Sequence, residues 1–389
     1  MEVALQIPSR VHLAVLPPLA LYVHIPWCVR KCPYCDFNSH ERGGDLPEKG
    51  YVERLILDLE ALLPSIWGRR LVSVFVGGGT PSLFSPDAID ALVSAVRARM
   101  VLEPQAEITL EANPGTVEAG RFRGFREAGV NRISVGVQSF DDVMLKRLGR
   151  IHSAAEARRA IDAALASFDN VNLDLMYGLP GQTLEMARAD IAQGLSCGVP
   201  HLSAYQLTIE PNTVFWRERP VLPEHDRCAD MQASIEETLA AAGYEHYETS
   251  AFAKPGARCR HNLNYWEFGD YLGIGAGAHG KLSFPDRVTR HEQPKRPAEY
   301  LKGAPMKEST VAATELPFEF MLNALRLVEG FPVELFEQRT GLPLPGIQKK
   351  LDNAEHRGLI ERDWQRIRPT ARGQRFLNEL LELFLSERP

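Results

Sequence analysis

The chain carries no large excess of charge of either sign: 44 Lys and Arg stand against 50 Asp and Glu, a net −6 over 389 residues. That excludes the basic footprint of a bulk nucleic-acid binder and gives no pull toward an anionic membrane. A long hydrophobic run is also missing. The apolar early stretch HLAVLPPLALYV is broken by Pro17 and Pro18, has no basic leader or cleavage site, and falls short of the roughly 20 apolar residues of a spanning helix. Stable membrane insertion is therefore not expected, and the reducing cytoplasm is the expected compartment. Cysteine is scarce, with six residues in all. Cys197, Cys228 and Cys259 are scattered singly, so no disulfide framework is expected.

The other three cysteines sit within eight residues, in HIPWCVRKCPYCDF (24–37), spaced C-x3-C-x2-C at Cys28, Cys32 and Cys35. A structural zinc ion closes its tetrahedron with four ligands, and here the fourth would have to come from far away. A redox pair of Cys32 and Cys35 would leave Cys28 without a role. A [4Fe–4S] cluster takes four thiolates when complete, so three would leave one iron open to another ligand.

From residue 20 onward short apolar runs alternate with amphipathic segments. The runs are LYVHI (21–25), LVSVFV (71–76), AEITLE (106–111), NRISVGV (131–137), NVNLDLMY (170–177) and HLSAYQLTI (201–209). Helical patterns lie between them. PEKGYVERLILDLEALL places Pro47 for a first turn and Val52, Leu55, Ile56, Leu59 and Leu63 on one face, and PDAIDALVSAVRARM does the same with Ile89, Leu92, Val93 and Val96. Such repetition predicts parallel βα units, in a barrel or partial barrel or else a doubly wound sheet. Ligands of these folds sit at the C-terminal ends of the strands, where Cys28, Gly77-Gly78-Gly79-Thr80-Pro81, Glu111, Gln138 and Asp174 fall. Successive glycines would let backbone amides approach a carboxylate or other anion. Each of these residues taken singly is as well explained by a turn, a cap or a core hydrogen bond.

Near residue 300 the pattern changes, and PKRPAEYLKGAP reads as a linker. Helices are expected over 316–328, 332–340 and about 345–357, then a hairpin in LIERDWQRIRPT and a last helix in ARGQRFLNELLELFL, the order of a winged-helix module. The expected division is an N-terminal extension (1–19), a barrel with an extension (20–300) and this C-terminal module (301–389). Residues 311–389 hold 11 basic and 12 acidic side chains, so the local set Arg362, Arg366, Arg368, Arg372 and Arg375 reads as a solvated face rather than a nucleic-acid site.

The trio with an aromatic before its last cysteine, Tyr34, resembles the signature of the radical S-adenosylmethionine (SAM) superfamily. There the open iron chelates SAM, and one electron cleaves the sulfonium to methionine and a 5′-deoxyadenosyl radical. A closer resemblance runs from about residue 20 to the end. YVHIPWCVRKCPYCDF, VFVGGGTPS, EANPG, RISVGVQSF, LGRIH and NLDLMYGLPGQT are similar to the oxygen-independent coproporphyrinogen III oxidase group. By motif position that resemblance implies a cluster and first SAM site from Tyr22, Gly78, Glu111 and the cysteines. It implies second-SAM contacts from Gly79, Thr80, Gln138, Arg150 and Asp174.

Two features depart from the oxidase. Phe37 stands where it has a further cysteine, and only about twenty residues precede Tyr22. Both match a sister branch, the HemW-type heme chaperones, as do Cys35-Asp36-Phe37 and HNLNYW (His261–Trp266), followed by FGDYLGIGAGAHG. The branch implies heme binding and delivery to heme-requiring respiratory enzymes; a homodimer is compatible with it. On that resemblance His261 is a candidate axial ligand beside the flat surfaces of Tyr265 and Trp266, with Cys259 and His279 as rivals. By itself His261 reads as a structural histidine. No C-x-x-C-H occurs, so thioether attachment of heme is not indicated. The alternative function is anaerobic oxidative decarboxylation of coproporphyrinogen III.

Overall fold

The computed structural model describes residues 11–116 and 119–385. The first ten residues of the expected N-terminal extension lie outside the described residues. The six runs form strands β1 (Leu19–Ile25), β2 (Leu71–Gly78), β3 (Leu102–Ala112), β4 (Arg132–Gln138), β5 (Asn170–Tyr177) and β6 (His201–Gln206). All five neighbouring pairs are parallel, and their order in the sheet is their order in the chain. A doubly wound sheet reverses direction at its switch point; this one does not, so the fold is a partial (β/α)6 barrel.

Period-2 patterning separates the two faces. Val74, Val76, Ile108, Leu110, Ile133, Val135, Leu173 and Leu202 lie in the main hydrophobic core with Leu55 and Leu59 of helix α1 (Glu48–Leu62) and Ile89, Leu92 and Val96 of helix α2 (Pro86–Arg99). The alternate residues Ser73, Glu107, Thr109, Arg132, Ser134, Asn172, His201 and Ser203 are polar and buried. Burying one face of each strand under helices leaves the other to line a polar interior. Ser85 caps α2 by accepting the Ala88 amide at 3.2 Å, and Pro86 opens the helix where no amide is needed.

The sheet is wider than the six runs. Past β6 come β7 (Glu245–Glu248) and β8 (Ala251–Ala253), antiparallel. On the other side β9 (Asp270–Ile274) pairs parallel with β1, followed by β10 (His279–Phe284), β11 (Arg287–Glu292) and β12 (Lys307–Thr310), all antiparallel. The main sheet thus has twelve strands among the described residues and continues past the expected boundary at residue 300. The segment read as a linker is not a free tether. It holds a helix, Pro297–Leu301, whose Tyr300 is fully buried and donates its hydroxyl to Asp58 of α1.

A second core gathers Leu316, Phe320, Phe331, Phe336, Leu351, Ile367 and Phe384, together with Val11 and Leu13. Its helices are Leu316–Ala324, Val333–Thr340 and Gln348–His356. A three-stranded antiparallel sheet (Phe331–Pro332, Arg366–Pro369, Ile360–Arg362) completes the winged-helix-like order. The expected last helix is two, Ala371–Arg375 and Leu377–Glu382, because Phe376 leaves helical geometry at φ −111°, ψ 44°. Four of the five arginines are held internally: Arg362 by Asp352 and Glu355, Arg368 by Glu361, Arg366 by the Glu329 and Gly330 carbonyls, and Arg372 by the Arg357 carbonyl.

Candidate cofactor site

Cys28 ends a two-residue ladder (Trp27–Cys28 with His40–Glu41) directly after β1. Its loop returns through Cys32 and Cys35, which form a turn from the Cys35 amide to the Cys32 carbonyl at 3.1 Å. The thiols are free and line one cavity of about 370 Å³. Also lining it are Tyr34, Gly78, Gly79, Thr80, Glu111, Gln138, Arg150 and Asp174. The fold therefore brings together, at the C-terminal ends of β1 to β5, eleven of the thirteen residues singled out from sequence. Tyr22 and His261 are not among them.

The donor set fits an iron–sulfur cluster. Among the described residues no three His, Cys, Asp or Glu side chains converge on one point as the ligands of a single ion do. Three free cysteines lining one cavity supply the thiolate donors that an iron–sulfur cluster takes. Burial pushes the Cys28 thiol up against the pull of a hydrogen bond with Thr80; burial also raises Cys35, opposed by Ser39 at 3.6 Å. The Arg150 guanidinium donates to the Cys32 sulfur at 3.7 Å and to the Gly136 carbonyl at 2.8 Å, and also bonds the Asn113 side-chain oxygen. Asn113 in turn donates to the Thr80 hydroxyl at 2.8 Å.

The glycine run works differently from expectation. The Gly79 and Thr80 amides donate to the Ile25 and Trp27 carbonyls, each at 2.8 Å, and so are not aimed at an external anion. The Gly78 amide does meet a carboxylate, the protein's own Glu111, at 3.0 Å. Close approach explains the residue type: a Cβ on Gly79 would lie 2.6 Å from the Trp27 carbonyl oxygen, and one on Gly78 (φ +117°) 2.7 Å from the His24 ring. Glycine here lets the second loop slide beneath the cysteine loop.

Two carboxylates share the cavity. Burial, then the charge of Asp174, pushes Glu111 up to about 8, against the Gly78 amide and the Arg132 charge. Asp174 is raised by burial although it accepts from Ser134 at 2.8 Å and Asn172 at 2.9 Å. An acidic pair kept short of full ionisation is poised for a cationic ligand. Gln138 reaches the wall because β4 bulges between Gly136 and Gln138, which adopts φ +68°.

Sequence reasoning did not single out Asn113, although it lies in EANPG. It likewise passed over Tyr205, Thr208 and Glu210, which line the same cavity at and after the end of β6. The strand-end rule applied to the sixth run would have found them.

HNLNYW forms the helix Arg260–Trp266. The Glu107 carboxylate accepts the Arg260 and His261 amides, each at 3.1 Å, which seats the helix on the inner face of the barrel. His261 is 1% exposed, bonds Ser73 through Nδ1 at 2.9 Å and stacks on Phe75 with ring centroids 4.9 Å apart. Burial, then the Arg132 charge, drives its pKa down to about 3. His261 is absent from the walls of both cavities described here. Its neighbour Tyr265 and the sequence candidate Tyr22 instead line a second cavity of about 570 Å³ on the other side of the cysteine loop. The rival Cys259 is fully buried, its thiol donating to Glu107 at 3.4 Å and pushed up to about 12 mainly by burial.

GIGAGAHG supports the cysteine loop from below. Asn38 donates to the Ala276 and Lys295 carbonyls at 2.8 Å each, and Tyr51 links the His24 carbonyl to the Ala276 amide, both at 2.8 Å.

The radical SAM superfamily matches residues 22–192, and the HemN C-terminal domain matches residues 311–376. A protein named heme chaperone HemW from Haemophilus influenzae is 52% identical, covering 96% of this chain and 99% of its own. HemW of Escherichia coli is 52% identical with the same coverage, and that of Bacillus subtilis 34% over 94% and 99%. In fold, the coproporphyrinogen III oxidase HemN of Escherichia coli, a radical SAM enzyme, matches with a TM-score of 0.79. That match has 22% identity and covers 95% of this chain and 90% of HemN.

Proposed function

This chain belongs to the HemW family of radical SAM proteins, and on that premise we propose that it is a cytoplasmic heme carrier that delivers heme to heme-requiring respiratory enzymes. Cys28, Cys32 and Cys35 would hold a [4Fe–4S] cluster, with SAM beside it in the same cavity. The observation that carries the cofactor assignment is the meeting of three free thiols with Glu111 and Asp174 around one cavity. The heme assignment rests on the family and on HNLNYW.

When bound, the cluster supplies one electron for reductive chemistry on SAM. The protein's own part is to hold and exclude. Glu111, oriented by the Gly78 amide, and Asp174, oriented by Ser134 and Asn172, would receive the cationic end of the ligand. Arg150 links Cys32 to Asn113 and, through it, to Thr80, so the cysteine loop and the glycine loop are held as one wall. Phe37 borders the same cavity with a largely exposed ring.

No helix among the described residues is long and apolar enough to cross a membrane. Delivery to membrane enzymes would therefore run through contact with the recipient. The test is transfer: heme-loaded protein mixed with heme-depleted respiratory membranes should restore their oxidase activity. Consumption of coproporphyrinogen III by reconstituted protein with SAM, without any transfer, would replace the carrier by an oxidase.

A further inference from the structure

The second cavity is lined by tyrosines, histidines and two lysines, and it does not contain the histidine to which the sequence pointed. It lies behind the cysteine loop and shares Cys35, Asp36 and Phe37 with the first cavity. Its volume, about 570 Å³, falls within the ~300–1,000 Å³ of pockets that bury a mid-sized organic ligand. Tyr22, Tyr265 and Tyr271 supply aromatic surface, with Tyr265 and Tyr271 packed edge to face at 4.4 Å. Phe37 is 64% exposed at the loop, an apolar ring without cover.

Three histidines line this cavity, and their hydrogen bonds separate them. His24 is occupied at both nitrogens, by the Tyr22 hydroxyl at 2.8 Å and the Asn38 carbonyl at 2.9 Å. His40 bonds the Asn38 side chain at 3.3 Å and the backbone of Lys295. His279 is 61% exposed, with its Nε2 3.9 Å from the Glu292 carboxylate. Two ammonium groups complete the lining. Lys31 gives two of its three N–H groups to the Phe37 and Ser39 carbonyls at 3.2 Å, and Lys295 stands 67% exposed, 3.3 Å from Glu292.

We propose that heme is seated in this second cavity, with His279 as its axial ligand, Tyr265 and Tyr271 against a porphyrin face, and Lys31 and Lys295 facing the propionates. The assignment rests on the heme-carrier reading and adds to it the place and the ligand. HNLNYW then serves the site through Tyr265. His261 lies outside the cavity wall, bonded to Ser73 and stacked on Phe75. The heme and the cluster lie on opposite sides of one loop, with Cys35 in the wall of both.

The experiment is a hemin titration of the full chain after anaerobic cluster reconstitution. Soret difference spectra read stoichiometry, and electron paramagnetic resonance reads ferric heme, since the oxidised [4Fe–4S] cluster is silent there. One hemin per chain is expected. His279→Ala should raise Kd about tenfold or more, at least the loss seen when a metal ligand's support is removed, and should change the ferric heme signal. Lys295→Glu should weaken binding less and keep the signal, and His261→Gln should keep both. Both His279 and Lys295 are exposed, so neither substitution threatens folding. Unchanged affinity and signal in His279→Ala, with binding by the parent chain intact, would overturn this site and leave the carrier standing. Failure of the parent chain to bind hemin would remove the carrier reading and the site together.

Discussion

The two cavities flanking the cysteine loop are built on different principles. The first collects residues mostly from the C-terminal halves of the strands of a regular parallel sheet and the loops after them, so chain order and place in the site largely coincide. The second collects Tyr22 from β1, His40 from the cysteine loop, Tyr265 from the helix Arg260–Trp266, Tyr271 from β9 and His279 from β10. Its members become neighbours only because β9 enters the sheet beside β1. A regular architecture makes a site readable in advance, whereas an appended one hides it.

The largest effect that could break this comparison is at the shared loop. Cys32 lines the first cavity and not the second. Cys32→Ala should abolish cluster iron and its brown absorption while leaving hemin binding in place; Cys35→Ala should disturb both. Full iron content in Cys32→Ala would sink the cluster assignment.

Next is Glu111. Removing an ionised partner of a cationic ligand costs about 1.5–3 kcal/mol, so Glu111→Gln should weaken SAM about tenfold to a hundredfold. Its pKa of about 8 gives the sign of the pH effect. The ionised form binds the cation, so SAM affinity should rise with pH up to about 8 and level off above it, with a proton released on binding below that point. Asp174 and Arg132 are the charged groups that act on Glu111. Calorimetry in two buffers of different ionisation heat measures the release, which should vanish in Glu111→Gln.

His261 sharpens the contrast as a stability residue. Its loss strands the Ser73 hydroxyl and opens space beside Phe75, so His261→Ala should cost about 2–4 kcal/mol by denaturant unfolding. The ring is held neutral with a pKa of about 3 against an ordinary 6.5. Its contribution is therefore complete above about pH 6.5 and is lost as pH falls toward 3, by up to about 1.4 kcal/mol per unit. A smaller acid-side slope in His261→Gln checks this. The smallest effect belongs to the exposed Arg368–Glu361 pair, where Arg368→Ala should change stability by about 0.5 kcal/mol or less.

Much of the barrel was readable because β-branched runs and amphipathic helices repeat at a regular interval. Each of the six runs became a strand, and Ile89, Leu92, Val93 and Val96 became the buried face of α2. The appended strands were not, since DYLGI and HGKLSF carry no repeat and their partners lie far away in sequence. The linker reading failed for a similar reason. Proline, lysine and glycine at 294–305 look like solvent-exposed chain until Tyr300 finds Asp58 of α1.

The sequence by itself determined the cysteine spacing, the strand-end positions of the polar residues and the alternation that turns one face of each strand to the helices. These follow from local periodicity and short-range spacing, which hold whatever the rest of the chain does. Only the tertiary structure decided that the Gly79 and Thr80 amides serve the protein's own carbonyls and that Glu111 and Asp174 share one cavity. It also decided that HNLNYW offers Tyr265 to a cavity while His261 is buried. Those outcomes depend on which buried donor meets which acceptor across distant strands, and low-dielectric burial makes each such pairing matter more than any local preference.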